Sequence, residues 1–131
     1  IMDAVSKGAT DAGAEAIGIT VSLFNSSTSK YLTNEVKCDT LFQRLDNLIT
    51  YGDGFIILPG GTGTLLEVSL VWEMFNKEIS EVKPVACLGE MWSKIIAPME
   101  ERVKYEQRRE NLINCYNTVD EVVGFITSEL K

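Results

Sequence analysis

The sequence predicts an α/β fold, a doubly wound parallel sheet with helices on both faces. Three observations carry that prediction. The short continuous apolar runs AIGIT (16–20), FIIL (55–58), PVACL (84–88) and LINCY (112–116) read as strands covered on both sides. The segments between them place apolar residues at helical spacing. The two kinds alternate along the chain, which is the order of parallel βαβ units.

The elements follow in turn. Met2, Val5, Ala9 and Ala12 recur at helical spacing, and Gly13 closes that first helix. After strand 16–20 comes a polar loop, 21–35, carrying Asn25, Ser26, Ser27, Thr28 and Ser29. Leu41, Leu45, Leu48 and Ile49 mark a helix over 38–50, which Gly52-Asp53-Gly54 ends before strand 55–58. A helix over 63–77 precedes strand 84–88. Trp92, Ile95, Ile96, Met99 and Val103 form the next helix, and Pro98 should kink or divide it. The last helix runs from Val119 to Leu130 and opens with the capping box Thr118-x-x-Glu121. No repeat or linker breaks residues 1–131, so a single domain is expected. Its sheet lacks the N-terminal strand with which such domains begin. The expectation is therefore the C-terminal part of a larger domain, or a neighbouring chain that supplies the missing element.

Composition narrows the function. A net charge of −7 argues against a nucleic-acid partner, since phosphate backbones are held by clustered Lys and Arg. The basic stretch from Lys104 to Arg109 is interleaved with Glu106 and followed by Glu110, as on a solvated helix. No apolar run is long enough to span a membrane, and the N-terminal residues lack a signal peptide's pattern. Cys38, Cys87 and Cys115 are odd in number and widely spaced, which suits reduced thiols in a cytoplasm. The chain contains no histidine, which removes Ser-His-Asp and Cys-His catalysis and His-ligated metals. Any chemistry rests on carboxylates, Arg, Lys and backbone dipoles.

The informative stretch is 55–75, where a buried strand runs through Pro59, Gly60, Gly61, Thr62, Gly63 and Thr64 into a largely apolar helix. Ligands of open parallel sheets bind beyond the carboxyl ends of the strands. Glycines allow close backbone approach and backbone angles closed to other residues. Amides at a helix start favour a phosphate, and Thr62 and Thr64 add hydroxyls. A tight turn without a ligand remains the alternative on glycine content alone. Glu67 adds weight, because at about 100° per residue it falls among Leu66, Leu70, Val71 and Met74, opposite the polar face. A carboxylate there is costly unless compensated. It either completes a capping box, Thr64-x-x-Glu67, or faces sugar hydroxyls or a developing cation. Arg44 borders the apolar stripe of its helix, where an arginine either snorkels or reaches a ligand. Helix 63–77 also carries Val68, Val71, Trp72 and Phe75, apolar nearly all round, which predicts a second cover such as a partner subunit.

Residues 40–76 resemble the Lonely Guy (LOG) family, often labelled lysine decarboxylase-like. The family pattern PGGxGTxxE stands complete as Pro59-Gly60-Gly61-Thr62-Gly63-Thr64-Leu65-Leu66-Glu67, with Arg44 upstream and Asp53 before the strand. Lys83-Pro84-Val85 and the closing Asp120-Glu121 helix look like the family too. The resemblance implies a Rossmann-like homodimer or higher oligomer that needs no metal or cofactor. It implies a nucleoside 5′-monophosphate substrate, AMP or a cytokinin nucleotide, hydrolysed to free base and ribose 5-phosphate. Arg44 and Glu67 match the catalytic positions, and Gly60, Gly61, Thr62, Gly63 and Thr64 the phosphate loop. The chain has Leu45 where the family commonly has Lys. That difference and the missing upstream strand suit the alternative, a non-catalytic carrier or sensor of nucleotide or molybdenum cofactor. Lysine decarboxylation is rejected, because no lysine here has the setting of a pyridoxal phosphate Schiff base.

Overall fold

The computed structural model describes residues 1–22 and 28–131, so Asn25, Ser26 and Ser27 of the expected loop lie outside the described residues. Among the described residues, five helices accompany parallel strands in two sheets, the doubly wound, Rossmann-like class. The chain forms two compact units, Ile1–Tyr51 and Gly52–Lys131. No described helix is long and apolar enough to cross a membrane.

The first unit begins with α1 (Met2–Asp11), whose buried residue is Ser6. Met2 and Val5, half of the apolar stripe read from the sequence, are exposed in this unit. Strand β1 (Ile17–Val21) pairs in parallel with β2 (Asn34–Cys38), in register from Ile17↔Asn34 to Val21↔Cys38. β2 corrects the sequence reading, which assigned 21–35 to a loop and began a helix at Cys38. Its sequence, NEVKC, alternates polar and apolar residues and lacks the continuous apolar run of the other strands. Pairing with β1 defines it instead, helped by Thr20 Oγ1 donating to Glu35 Oε1 at 2.8 Å. At its entry, the Ala16 amide donates to Thr33 Oγ1 at 2.9 Å and the Thr33 amide donates to the Ala16 carbonyl at 2.8 Å. Helix α2 (Leu41–Tyr51) starts later than expected because Thr40 stops the chain there. The Gln43 amide donates to Thr40 Oγ1 at 3.1 Å, and Gln43 Oε1 accepts from the Asp39 amide at 2.9 Å. Leu45 and Ile49 are its buried residues.

The second unit is a parallel sheet of order β3-β4-β5, built from β3 (Phe55–Ile57), β4 (Val85–Leu88) and β5 (Asn114–Tyr116). Phe55 pairs with Val85, Ile57 with Cys87, and Cys87 with Cys115. Side chains alternate across a sheet, so Ala86 and Cys87 point to opposite faces. Helix α5 (Val119–Glu129) covers the Ala86 face, where Val122 and Ile126 pack on Ala86 and Phe125 lies 5.5 Å from Tyr116. The expected capping box of α5 is present. The Glu121 amide donates to Thr118 Oγ1 at 3.2 Å, while Glu121 Oε2 accepts from the Asn117 amide at 3.3 Å. Helices α3 (Thr62–Asn76) and α4 (Glu90–Tyr105) line a common groove of about 450 Å³. The Phe75 ring of α3 sits 6.4 Å from Phe55.

Pro98 does not divide α4, one of the two outcomes expected of it; the helix runs from Glu90 to Tyr105 with Pro98 inside it. Pro98 and Lys94 are both exposed, so the missing amide lies on the outer side of the helix rather than in the core. Trp92, in the first turn of α4, is the largest fully buried side chain of the described residues. Its indole Nε1 donates to the Leu58 carbonyl at 3.1 Å, which ties α4 to the end of β3.

Two substitutions separate packing from hydrogen bonding at this position. Trp92→Ala should lower stability by about 3–5 kcal/mol through the cavity it leaves. Trp92→Phe keeps most of the volume but orphans the Leu58 carbonyl and should cost about 1–3 kcal/mol. Urea unfolding followed by far-ultraviolet circular dichroism measures both, and equal losses would contradict this division.

Candidate functional site

Strand β3 delivers the chain through Leu58 and Pro59 to Gly60, and α3 starts at Thr62 with Gly61 as its N-cap. No side chain caps this end. The first amides of a helix have no acceptor within it, so α3 presents amides and the positive end of its dipole outward. Gly61, Thr62 and Gly63 are exposed and Thr64 is half-buried, so the turn is open to a ligand.

The three glycines do different work. The sequence reading expected backbone angles closed to other residues, and the structure corrects this. None of Gly60, Gly61 and Gly63 has a left-handed φ, and Gly61 lies at φ −101°, ψ −152°. Gly60 is needed for space, since a Cβ there would fall 2.3 Å from Thr64 Oγ1 and 3.0 Å from Thr64 Cβ. At Gly61 and Gly63 a Cβ would meet nothing within 4 Å. The fold itself gives no steric reason for these two glycines, and Gly63 sits inside the first turn, where alanine is the better helix former. Bare backbone in open space at an uncapped helix start suits close approach by an anion.

Glu67 lies on α3 one turn beyond Thr64. The capping box Thr64-x-x-Glu67 is set aside, because Gly61 is the N-cap and Thr64 is the third helical residue. Val68, Val71 and Phe75 form the buried stripe of α3, and half-buried Glu67 flanks it beside Leu70 and Met74. The expected surplus of apolar surface on this helix is therefore smaller than the sequence suggested. Val68, Val71 and Phe75 are buried, while Leu65 and Leu66 are exposed and Trp72 is half-buried. The Trp72 Nε1 and Asn76 Oδ1 atoms are buried without a hydrogen-bond partner, and both residues line the α3–α4 groove.

The structure thus places Gly60 and Gly61 in the turn before α3 and Thr62, Gly63, Thr64 and Glu67 on its first turns. Arg44 belongs to the first unit. It is half-buried on α2, and its Nε donates to the Ile19 carbonyl of β1 at 2.9 Å. The border position read from the helical wheel is thereby explained, since the stem crosses towards the strand that α2 covers. Gly89 escaped the sequence reading. It caps α4 at φ +106°, ψ 156°, conformations nearly restricted to glycine, and its amide donates to the Tyr116 carbonyl at 2.9 Å. A Cβ on Gly89 would lie 3.7 Å from Pro59 Cγ, so the two turns adjoin at the carboxyl edge of the sheet. A glycine directly after the apolar run VACL was the available signal.

The chain matches the family described as "Possible lysine decarboxylase" over residues 2–128. No curated protein matches it.

The distinction among glycines is testable without a ligand. Gly60→Ala should lower the melting temperature through its clash with Thr64. Gly63→Ala should leave it unchanged or raise stability by up to about 1 kcal/mol. Thermal unfolding of both variants checks this, and destabilisation by Gly63→Ala would show that the fold itself requires that glycine.

Proposed function

The chain belongs to the Lonely Guy-like family described as possible lysine decarboxylases, and from that premise we propose that it is a nucleoside 5′-monophosphate phosphoribohydrolase. The reaction is hydrolysis of the N-glycosidic bond of AMP or a cytokinin riboside monophosphate, giving free base and ribose 5-phosphate. The observation that carries the proposal is the uncapped start of α3, with two glycines open to solvent and Glu67 one turn further on. The 5′-phosphate binds the amides of the turn, with hydroxyl help from Thr62 and Thr64. Its binding energy holds the ribose in place for the bond-breaking step.

Breaking the bond leaves oxocarbenium character on the ribose. The Glu67 carboxylate, held beside a ribose seated on the turn, stabilises that positive charge and accepts hydrogen bonds from the sugar hydroxyls. Water adds to the sugar carbon, and the base leaves with the bonding electron pair and gains a proton. For Arg44 the proposal rests on the family pattern, which assigns it to orienting the nucleotide; a planar five-donor guanidinium suits that task. Self-association belongs to the same proposal. The part-open apolar residues Leu65, Leu66 and Trp72 of α3, with the unpartnered Trp72 Nε1, support a homodimer through this helix.

Purified protein should release adenine, or a modified adenine, from a panel of nucleoside 5′-monophosphates, as read by chromatography of the free base. Glu67→Gln should reduce turnover by on the order of 10²–10³-fold while the melting temperature holds. Arg44→Ala tests the other assignment separately. Normal turnover by Glu67→Gln would refute the catalytic role. A nucleotide that stabilises the protein but is never consumed would replace the enzyme by a binding module. Light scattering after size exclusion should show a dimer, and Trp72→Glu should shift it towards monomer; a wild-type monomer would remove the proposed interface.

A further inference from the structure

Cys87 and Cys115 face one another across β4 and β5, and nothing in the proposed hydrolysis uses them. They are register partners in a parallel pair, so both side chains leave the same face of the sheet. Adjacent strands lie about 4.8 Å apart, within the roughly 4.4–6.8 Å separation of α-carbons that a disulfide spans. Cys87 is fully buried, whereas Cys115 is partly open. Cys87 and Ser93, the latter in the first turn of α4, are the neighbouring polar groups that act on the Cys115 thiol.

Those contacts give the two thiols different characters. Hydrogen bonding with Cys87 and then with Ser93 favours the Cys115 thiolate, and against the opposing effect of burial it brings the pKa down to about 7. Cys87 is pushed the other way, by its bond to Cys115, by burial and by the nearby negative charge. Cys115 is thus the less buried and more readily ionised thiol, and Cys87 is buried and keeps its proton. Cys38 differs from both: it lies in the first unit, buried, and accepts a hydrogen bond from Asn47 Nδ2 at 3.2 Å.

We propose that Cys115 and Cys87 form a peroxide-responsive dithiol that closes to a disulfide across β4 and β5. The Cys115 thiolate attacks one oxygen of hydrogen peroxide, breaking the O–O bond and forming a sulfenic acid with release of hydroxide. Cys87 then attacks that sulfur as its proton leaves with the sulfenic oxygen, which departs as water. Overall, two thiols are oxidised by two electrons and one peroxide is reduced to two waters. The bridge would clamp the sheet two residues before Gly89, which adjoins Pro59 at the glycine turn. The inference stands independently of the hydrolase reading.

The test treats reduced, purified protein with one equivalent of hydrogen peroxide and reads intact mass and non-reducing peptide maps. The expected product has lost two hydrogens, joins the Cys87 and Cys115 peptides, keeps Cys38 as a thiol and reverts with dithiothreitol. In Cys87→Ser, a dimedone-type probe should capture a sulfenic acid on Cys115. Cys115→Ser should slow thiol loss by at least about tenfold. Retention of all three thiols by the wild type, or bridging only through Cys38 or a second molecule, would overturn the proposal. The wild-type result decides even if a variant fails to fold.

Discussion

The hydrogen bond from Trp92 to the Leu58 carbonyl holds the carboxyl edge of the second unit together. Leu58 is the last residue before Pro59 and the glycine turn, and its carbonyl would otherwise be a strand-end acceptor without a partner. By filling it from the first turn of α4, a fully buried indole fixes where β3 stops and therefore where α3 starts. Gly89 completes the arrangement, because its positive φ lets the chain leave β4 beside Pro59 and lets its amide reach the Tyr116 carbonyl. Two helix starts are thus anchored along one edge, and backbone rather than side chains is what they offer there. Such a surface suits an anion, since fixed amides need no rearrangement when charge arrives.

The placement of Glu67 follows from the same geometry. With α3 starting at Thr62, residue 67 flanks the buried stripe of Val68, Val71 and Phe75 instead of capping the helix. The Glu67 carboxylate thus lies beyond the cap position, close to an anion-friendly helix start. The proposed function gives that carboxylate a task beside the ligand. The open glycines support the same reading. Gly60 is explained by Thr64, whereas Gly61 and Gly63 are not explained by any internal neighbour.

Much of this was legible in the sequence, for identifiable reasons. The strands FII and VACL read as continuous apolar runs, and VACL is buried on both faces, whereas Ile56 leaves one face of FII exposed. The helices announced themselves by spacing, and the Thr118-Glu121 cap by its pattern. β2 was missed because NEVKC is polar and takes its identity from pairing with β1, a relation to residues 17 positions away. Whether Pro98 divides α4 was left open because its cost depends on which side of the helix the missing amide lies. The glycine turn was found, but the reason for it was half wrong, since space and not backbone angle explains Gly60. The Trp92–Leu58 bond and the Cys87–Cys115 pairing join residues far apart in the chain. The packing of α4 on the end of β3 reveals the first, and the register of the sheet the second.

The central claim is that the turn after β3 seats a sugar phosphate and that Glu67 works on that sugar. A crystal structure of Glu67→Gln soaked with AMP tests it most directly, because the substitution slows turnover while keeping the shape. The account requires the 5′-phosphate on the amides of residues 61–64 and the ribose hydroxyls against the residue 67 side chain. A nucleotide bound elsewhere, or a phosphate on the turn with its ribose directed away from residue 67, would contradict it.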